Sequence, residues 1–316
     1  MRTSYGISYQ GSKNIIAEDI TALLPAAENF YDLFAGGCAM THCALLSGKY
    51  KNIYANDINT TPQLFIDAIN GKYDNETTWI TRDRFQDEKF TNPYIRNIWS
   101  FNNNQWSYII GIGNEKLNEA LWDVIMLKDL NKMYDVNKDL ADKLASCLEY
   151  DDLNERKNNA AKTIKTFFEC KEKVPAYNTN VLIVINQLIR LRRLSGLNAD
   201  NVHISNMSYD EIEIKPNSVI YCDIPYNGFT AYCNERQYNK TTTFFDYDKF
   251  YDWCLQQNNP VFISEYNMPE DKFKCIYEKQ YGRHISGQYK QYSSQVTEKL
   301  FVPNIYTSSY NHIDDF

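Results

Sequence analysis

The residue types best suited to chemistry follow an apolar run at residues 218–222, where the sequence reads Asp223-Ile224-Pro225-Tyr226. If the run is a buried strand of an α/β sheet, these residues lie at the sheet edge outside which ligands bind. Pro225 pushes Ile224 toward an extended backbone and fixes the direction of its carbonyl. The Asp223 carboxylate and the Ile224 carbonyl then offer two acceptors for the two hydrogens of an amino group on an aromatic ring.

Such an amino group is a poor nucleophile because its lone pair is delocalised into the ring. Two aligned acceptors stabilise the positive charge that grows on the nitrogen as it attacks an electrophile. Tyr226 adds a ring face on which a base extruded from a duplex can stack. A tetrapeptide this short also occurs by chance as the turn that ends a strand, so both interpretations stay open on these residues alone.

A glycine turn near the N-terminus indicates a bound cofactor. Residues 30–34 have the pattern of a strand and lead into Ala-Gly-Gly at 35–37, where glycines let the main chain approach a ligand closely. Asp57 ends the next strand pattern, 20 residues after Gly37, where βαβ units often bind ribose hydroxyls. The turn lacks the spaced glycines that cradle a pyrophosphate. The pattern favours an adenosine-containing cofactor such as S-adenosylmethionine, with an ordinary βαβ turn as the alternative.

The elements that position these residues alternate between strand and helix. A βαβ unit spans residues 29–59, and a strand, a helix and a strand follow at 218–222, 244–257 and 260–264. This alternation predicts an α/β fold in which a parallel sheet carries helices on both faces. Residues 72–177 are rich in Asn, Lys and aromatic residues and lack apolar strand runs. We therefore predict a sheet domain at 1–71 and 178–316, interrupted by a mainly helical insert at 72–177.

Composition excludes several classes of protein. A chain of 316 residues with 43% hydrophobic content can bury a full core. The net charge of −7 disfavours a protein that coats nucleic acid indiscriminately, although it permits a local basic cleft. The eight cysteines and four histidines lack metal-ligand spacing, so we expect no metal. Without a spanning apolar run or a signal peptide pattern, a cytoplasmic protein with no membrane partner is expected.

The motifs and their order resemble those of the D12 class of DNA adenine methylases, especially the phage-encoded members. Residues 9–13 are similar to an N-terminal aromatic-x-Gly-x-Lys motif, 32–37 to a cofactor loop, and 223–226 to an Asp-Pro-Pro-Tyr catalytic motif. The resemblance implies a Rossmann-like methyltransferase sheet that transfers a methyl group from S-adenosylmethionine to N6 of an adenine flipped out of double-stranded DNA. It also implies that the insert recognises the target site.

The resemblance further implies two sets of site residues. The catalytic set is Asp223, Ile224, Pro225 and Tyr226. The cofactor-binding set is Tyr9, Gly11, Lys13, Asp32, Phe34, Ala35, Gly36, Gly37, Asp57 and Ser208. Two of these positions depart from the family pattern. Ile224 replaces a proline but keeps the main-chain carbonyl that the family uses, and Ser208 stands near the place of an aspartate that contacts the cofactor adenine, with Asp210 as an alternative.

Within the insert, several residues are of types that contact or stack on bases, and aromatic packing beside a polar loop is the alternative interpretation. They are Trp99, Asn102, Asn103, Asn104, Trp106 and Tyr108. We expect a monomer. Two other functions stay open: a DNA-binding module that keeps the methyltransferase fold without turnover, and an amino-methyltransferase that acts on RNA or on protein glutamine.

Overall fold

The computed structural model describes residues 4–169, 179–226, 245–284 and 293–309. By internal contacts the chain divides into two compact units. The sheet unit comprises Met1–Gly6, Ser12–Pro62 and Ala199–Phe316, and the helical unit comprises Ile7–Gly11 and Gln63–Asn198. The insert boundaries at 72 and 177 stay a prediction, and residue 177 lies outside the described residues.

Helices and strands are numbered in chain order. The helices are α1 (Ala17–Leu23), α2 (Ala39–Ser47), α3 (Thr61–Ile69), α4 (Arg82–Glu88), α5 (Pro93–Ile98), α6 (Glu115–Trp122), α7 (Asn131–Val136), α8 (Lys138–Leu144), α9 (Leu153–Glu169), α10 (Val181–Arg192) and α11 (Tyr247–Leu255). The strands are β1 (Asn29–Asp32), β2 (Asn52–Asn56), β3 (Val202–Ser205), β4 (Ser218–Asp223), β5 (Val261–Glu265), β6 (Phe273–His284) and β7 (Ser293–Pro303).

The seven strands of the described residues form one sheet in the order β3-β2-β1-β4-β5-β7-β6. Strands β1 to β5 pair in parallel, whereas β7 runs antiparallel to both β5 and β6. The predicted α/β class with a Rossmann-like methyltransferase sheet is confirmed. The sequence did not predict the antiparallel pair β6 and β7.

The strand order reverses between β1 and β4. From β1 the chain goes on to β2 on one side, and from β4 it goes on to β5 on the other. In open α/β sheets, ligands bind outside the carboxyl ends of the strands at this reversal, which we call the switch point. Asp32 ends β1 and Asp223 ends β4, so both carboxylates lie at the switch point.

The central strands are buried on both faces, as parallel strands between helices usually are. Phe30 and Val219 pack with residues of α1 and α2 on one face, while Tyr31 and Ile220 pack with residues of α11 on the other. Full burial of such side chains contributes about 1.5–3 kcal/mol each. The apolar packing of the sheet thus helps to hold the strand ends in place.

The helical unit contains a group of four aromatic residues, the aromatic centre, in which Trp99, Trp122 and Tyr108 are buried and Trp79 is half-buried. The ring centroid of Trp99 lies 5.1 Å from that of Trp79 and 5.2 Å from that of Trp122. The Trp122 indole donates to the Thr77 carbonyl at 2.9 Å, and the Tyr108 hydroxyl donates to the Ile80 carbonyl at 2.5 Å. Aromatic packing is therefore the correct interpretation for Trp99 and Tyr108.

In the polar loop beside the aromatic centre, the side chains of Asn103 and Asn104 are hydrogen-bonded, whereas that of Asn102 is exposed. The Asn103 amide donates to the Asn97 carbonyl and to Gln187 Oε1, both at 2.9 Å. The Asn104 side chain accepts from the main-chain N–H of Trp106 at 2.9 Å. The Asn102 side chain is exposed, and its φ of 50° lies in the left-handed region that asparagine tolerates.

Within the described ranges, no helix combines the length and the apolar character needed to cross a bilayer.

Candidate active site

An ion pair between Lys13 and Asp223 lies at the centre of the site. Lys13 Nζ is 2.6 Å from Asp223 Oδ1, and the side chains are 5% and 21% exposed. Burial raises the pKa of Asp223 to about 6, although the Lys13 ammonium opposes the shift. Burial tends to lower the pKa of Lys13, but Asp223 and Glu298 outweigh that effect and hold it above its ordinary value. The Asp223 carboxylate is therefore already bound to an N–H donor.

Tyr226 is fixed by two contacts in the same region. Its hydroxyl donates to Glu298 Oε2 at 2.6 Å, and its ring meets the ring of Tyr266 edge to face at a centroid distance of 4.4 Å. Lys13 Nζ lies 4.7 Å from the centroid of the Tyr226 ring and covers part of that ring. Burial, with Asp223 and Glu298 nearby, raises the pKa of Tyr226, so the hydroxyl is a proton donor.

The two residues between Asp223 and Tyr226 hold the main chain. The Ile224 side chain is buried among residues of β1, β5 and α11. The Pro225 carbonyl accepts from the Tyr247 hydroxyl at 2.8 Å. Because both residues are anchored, the peptide units between Asp223 and Tyr226 have a fixed orientation.

The glycine turn is tied to the end of β2. The Ala35 N–H donates to the Asn56 carbonyl, and the Gly36 N–H donates to Asp57 Oδ2, both at 2.8 Å. Asp57 Oδ1 accepts from the Asn59 N–H at 2.8 Å. Each carboxylate oxygen has two lone pairs, so Asp57 can hold the turn and still accept a hydrogen bond from a ligand.

Asp32 ties the end of β1 to the start of α2. Its Oδ2 accepts from the Thr41 N–H at 3.1 Å and from the Thr41 hydroxyl at 2.7 Å. Burial raises the pKa of Asp32 to about 7, and Asp223 and Asp57 add to the shift. Asp223 and Asp57 thus both lie within electrostatic range of Asp32 at adjacent strand ends. This concentration of acidic groups favours a cationic ligand.

Sequence reasoning missed Gly6, which presses against the glycine turn. Its φ is +62°, and a Cβ at this position would lie 2.2 Å from the Gly37 carbonyl oxygen. The Gly6 N–H also donates to His42 Nδ1 at 2.9 Å. Only glycine fits this contact, since both the backbone conformation and the close approach exclude a side chain. The available signal was a glycine shortly before the 9–13 motif.

The remaining cofactor-binding residues of the sequence prediction are divided between the two units. Tyr9 and Gly11 belong to the helical unit, where Tyr9 is half-buried and Gly11 is exposed with a φ of 81°. Phe34 packs against Tyr209, with ring centroids 5.5 Å apart. A cofactor role for these residues stays a prediction.

Ser208 has a local role in the sheet unit. It forms a capping box with Glu211 at the short 3₁₀ helix Tyr209–Glu211. The Ser208 hydroxyl bonds to Asp210, and Asp210 also accepts an ion pair from Lys249 at 2.6 Å. These contacts fold the turn on itself, so the structure gives Ser208 and Asp210 a structural role, and an adenine contact stays a prediction.

Glu298 is a second residue that the sequence prediction left out. It lies on β7, accepts the Tyr226 hydroxyl, and its Oε2 is 3.9 Å from Lys13 Nζ. Its position next to Asp223 arises from the pairing of β7 with β5, which the sequence did not reveal.

A family model described as D12 class N6 adenine-specific DNA methyltransferase matches residues 9–292, which is most of the chain. No curated protein matches it. In the part of the chain that the structure describes, no group of three or more His, Cys, Asp or Glu side chains is arranged to hold a metal ion.

Proposed function

The chain belongs to the D12 class of N6 adenine-specific DNA methyltransferases, and on that premise we propose that its methyl donor is S-adenosylmethionine and that Asp223 binds the target amino group. The reaction is the transfer of a methyl group to N6 of adenine in DNA. The predicted activity is thereby confirmed, and DNA takes precedence over RNA and protein glutamine as the substrate.

The residues of the switch point fit a cationic methyl donor. The acidic side chains of Asp32, Asp57 and Asp223 lie near one another there, and Gly6 packs on the glycine turn where any side chain would collide with the Gly37 carbonyl. When bound, S-adenosylmethionine supplies a methyl group on a positively charged sulfur. Main-chain groups of residues 35–37 hold it in this proposal, and Asp57 accepts from its ribose hydroxyls.

Asp223 and Ile224 act on the target amino group. The Asp223 carboxylate accepts one hydrogen and the Ile224 carbonyl accepts the other, which stabilises the positive charge that develops on the nitrogen. The new bond joins that nitrogen to the methyl carbon, the sulfur–carbon bond breaks, and Asp223 takes the proton that the nitrogen loses. Removing a preorganised group of this kind lowers turnover by about 10²–10³-fold.

Tyr226 borders the same acceptor. Because its hydroxyl is held by Glu298 and its ring contacts the ring of Tyr266, Tyr226 has a fixed orientation against which a flipped adenine can pack. Lys13 covers part of this ring and also holds Asp223, so Lys13 must shift before the base binds.

The helical unit recognises the target site in this proposal. Support comes from the Asn102–Asn104 loop, which presents one exposed amide on a backbone that its neighbours hold by hydrogen bonds. Asparagine can make two hydrogen bonds to an adenine edge in the major groove.

One observation carries the proposal for the active site. Asp223 ends a central strand at the switch point, largely shielded from water, and its carboxylate binds an N–H donor at 2.6 Å. A target amino group needs an acceptor of this kind.

Transfer of labelled methyl groups from S-adenosylmethionine to unmethylated duplex DNA tests the proposal. Asp223→Asn keeps the shape of the side chain and is expected to lower turnover by about 10²–10³-fold; its unfolding temperature, measured alongside, shows that the variant is folded. Asp252→Asn is the matched control, because Asp252 is a surface residue 3.5 Å from Lys272. Normal turnover of Asp223→Asn would refute the acceptor assignment. Failure of the wild-type protein to bind S-adenosylmethionine in calorimetry would refute the choice of donor.

A further inference from the structure

Glu298 is a buried carboxylate in the middle of β7. Apart from holding the Tyr226 hydroxyl, it has no role in the methyl transfer proposed above. It is 6% exposed. A carboxylate at such a position is unfavourable unless it is paired and hydrogen-bonded. Its partners include the Tyr226 hydroxyl at 2.6 Å and the Lys13 ammonium at 3.9 Å, so it contacts two residues of the methyl-transfer site.

Lys13 lies between two carboxylates at unequal distances. Its Nζ is 2.6 Å from Asp223 Oδ1 and 3.9 Å from Glu298 Oε2. An ammonium on a flexible four-carbon stem has three donors and can exchange partners through a small movement of the side chain. The arrangement therefore provides a second partner for Lys13 close to the first.

Such a partner is needed when the target base binds. The amino group requires the Asp223 oxygen that Lys13 holds, and the base requires the Tyr226 ring that Lys13 partly covers. A second carboxylate close by lowers the cost of moving the ammonium off Asp223, because a buried charge is least unfavourable when it stays ion-paired. Glu298 provides such a carboxylate, because its Oε2 already lies 3.9 Å from the ammonium.

We propose that Glu298 is a positioning residue for methyl transfer: it fixes Tyr226 through the tyrosine hydroxyl and receives Lys13 when the target amino group binds Asp223. The inference rests on the proposed function, because it takes Asp223 to be the acceptor of that amino group. It assigns to Glu298 no contact with the base or the donor.

A purely structural role for Glu298 leads to different expectations. If the carboxylate serves only to accept the Tyr226 hydroxyl, an amide of the same shape serves equally well. A shorter carboxylate then does worse, because it no longer reaches the hydroxyl. The order of activity of two variants thus separates the two roles.

Glu298→Gln and Glu298→Asp are the variants to compare. The glutamine keeps the shape and an acceptor but loses the charge, so kcat is expected to fall by about 10-fold to 100-fold. The aspartate keeps the charge that receives Lys13, so its kcat is expected to exceed that of the glutamine variant. Unfolding temperature and calorimetric affinity for S-adenosylmethionine should stay near wild type in Glu298→Gln. A glutamine variant that is at least as active as the aspartate variant overturns the proposal.

A double-mutant cycle with Lys13→Met gives a second, independent test. In the Lys13→Met background no ammonium has to be received, so adding Glu298→Gln should reduce kcat by less than about threefold. If the two substitutions instead multiply their separate effects, Glu298 does not act through Lys13 and the proposal fails.

Two further variants make these results interpretable. Glu278→Gln on β6 is the matched control, because the Glu278 carboxylate also lies 3.9 Å from a lysine ammonium, that of Lys299, but its side chain is 51% exposed. This variant should retain wild-type kcat. Asp223→Asn distinguishes a failure of the proposed function from a failure of the proposal for Glu298. Normal turnover of Asp223→Asn refutes the proposed function together with this inference, whereas an inactive Asp223→Asn beside a fully active Glu298→Gln refutes this inference alone.

Discussion

The switch point of the sheet unit and the aromatic centre of the helical unit are both buried, but they bury opposite kinds of group. At the switch point an ammonium and several carboxylates are withdrawn from water, with Lys13 and Asp223 in direct contact. In the aromatic centre, Trp99 and Trp122 pack ring against ring, and the Trp122 N–H is bonded to a main-chain carbonyl. Polar burial thus dominates one region and apolar burial dominates the other.

The difference separates activity from stability. Burying charged groups carries a desolvation penalty that an ion pair often only balances, so a buried pair is weak evidence of a stabilising role. Burying large aromatic side chains contributes strongly to folding. Substitutions of the charged residues at the switch point should therefore be most evident in turnover, and substitutions in the aromatic centre should act mainly on the free energy of unfolding.

Trp99→Ala should have the largest effect on stability. Removing a fully buried indole leaves a cavity, and the free energy of unfolding should fall by about 3–5 kcal/mol. Urea denaturation followed by circular dichroism measures this change. If the variant kept wild-type stability but lost methyl transfer, Trp99 would belong to the active machinery and the contrast between the two regions would not hold.

Gly6→Ala should come next and sharpens the comparison at the switch point. The added Cβ would overlap the Gly37 carbonyl in a left-handed backbone, so a loss of about 3 kcal/mol is expected from strain and overpacking together. The affinity for S-adenosylmethionine, measured by calorimetry, should also fall, because the glycine turn has to move.

Gly48→Ala is the matched control for this prediction. Its φ is +65°, close to that of Gly6, but an added Cβ would meet no atom within 4 Å. Only backbone strain remains, about 1 kcal/mol. Equal losses for both variants would show that the contact with Gly37 contributes nothing.

Changes of pH should have smaller effects than these substitutions. They should change activity and stability in opposite directions. Because Asp223 has a pKa of about 6 and acts when ionised, kcat/KM should fall as the pH drops through 6. One pH unit below that value the loss is about tenfold. Steady-state rates between pH 5 and 8, in roughly half-unit steps, measure this acid limb of the pH–rate profile. A flat profile across this range would contradict the role of the Asp223 carboxylate.

Stability should change in the opposite sense because of Asp32. Its folded-state pKa is raised to about 7, so between its ordinary pKa and 7 the folded state binds more protons than the unfolded state. The free energy of unfolding therefore decreases as the pH rises through this window. Urea midpoints measured across the window should fall with pH, and Asp32→Asn should flatten that slope.

Asn102→Gly should have the smallest effect. Glycine accepts the φ of 50° and removes only an exposed amide, so stability should stay within about 0.5 kcal/mol of wild type while DNA affinity falls by less than about tenfold. Asn103→Gly removes bonded contacts in the same loop and should reduce stability by about 1 kcal/mol. Fluorescence anisotropy and denaturation distinguish the two variants. Unchanged DNA affinity in Asn102→Gly would remove Asn102 from target recognition.

Local patterns were sufficient to predict the fold class and the strand ends that carry Asp32, Asp57 and Asp223. Each of these residues follows a short apolar run, and the position of a residue at the end of a parallel strand does not depend on distant parts of the chain. Ser208 was a missed local signal, because Ser-x-x-Glu at 208–211 is the pattern of a capping box.

The roles of Gly6 and Glu298 could not be predicted from the sequence, for a different reason. Gly6 meets Gly37, and Glu298 meets Tyr226, only after the chain has folded. The aromatic residues of the insert posed a related problem, since Trp99 and Trp106 are the same residue type and only packing decides that one is buried and the other half-exposed.

The pairing of β1 with β4 also has a consequence for protein synthesis. Asn29 lies opposite Ser218, so the ribosome completes the entire helical unit before the neighbour of β1 is made. Until then one edge of β1 presents unpaired main-chain groups, which favour aggregation in nascent chains. Production at low temperature, where translation is slower and hydrophobic association weaker, should therefore raise the yield of folded enzyme.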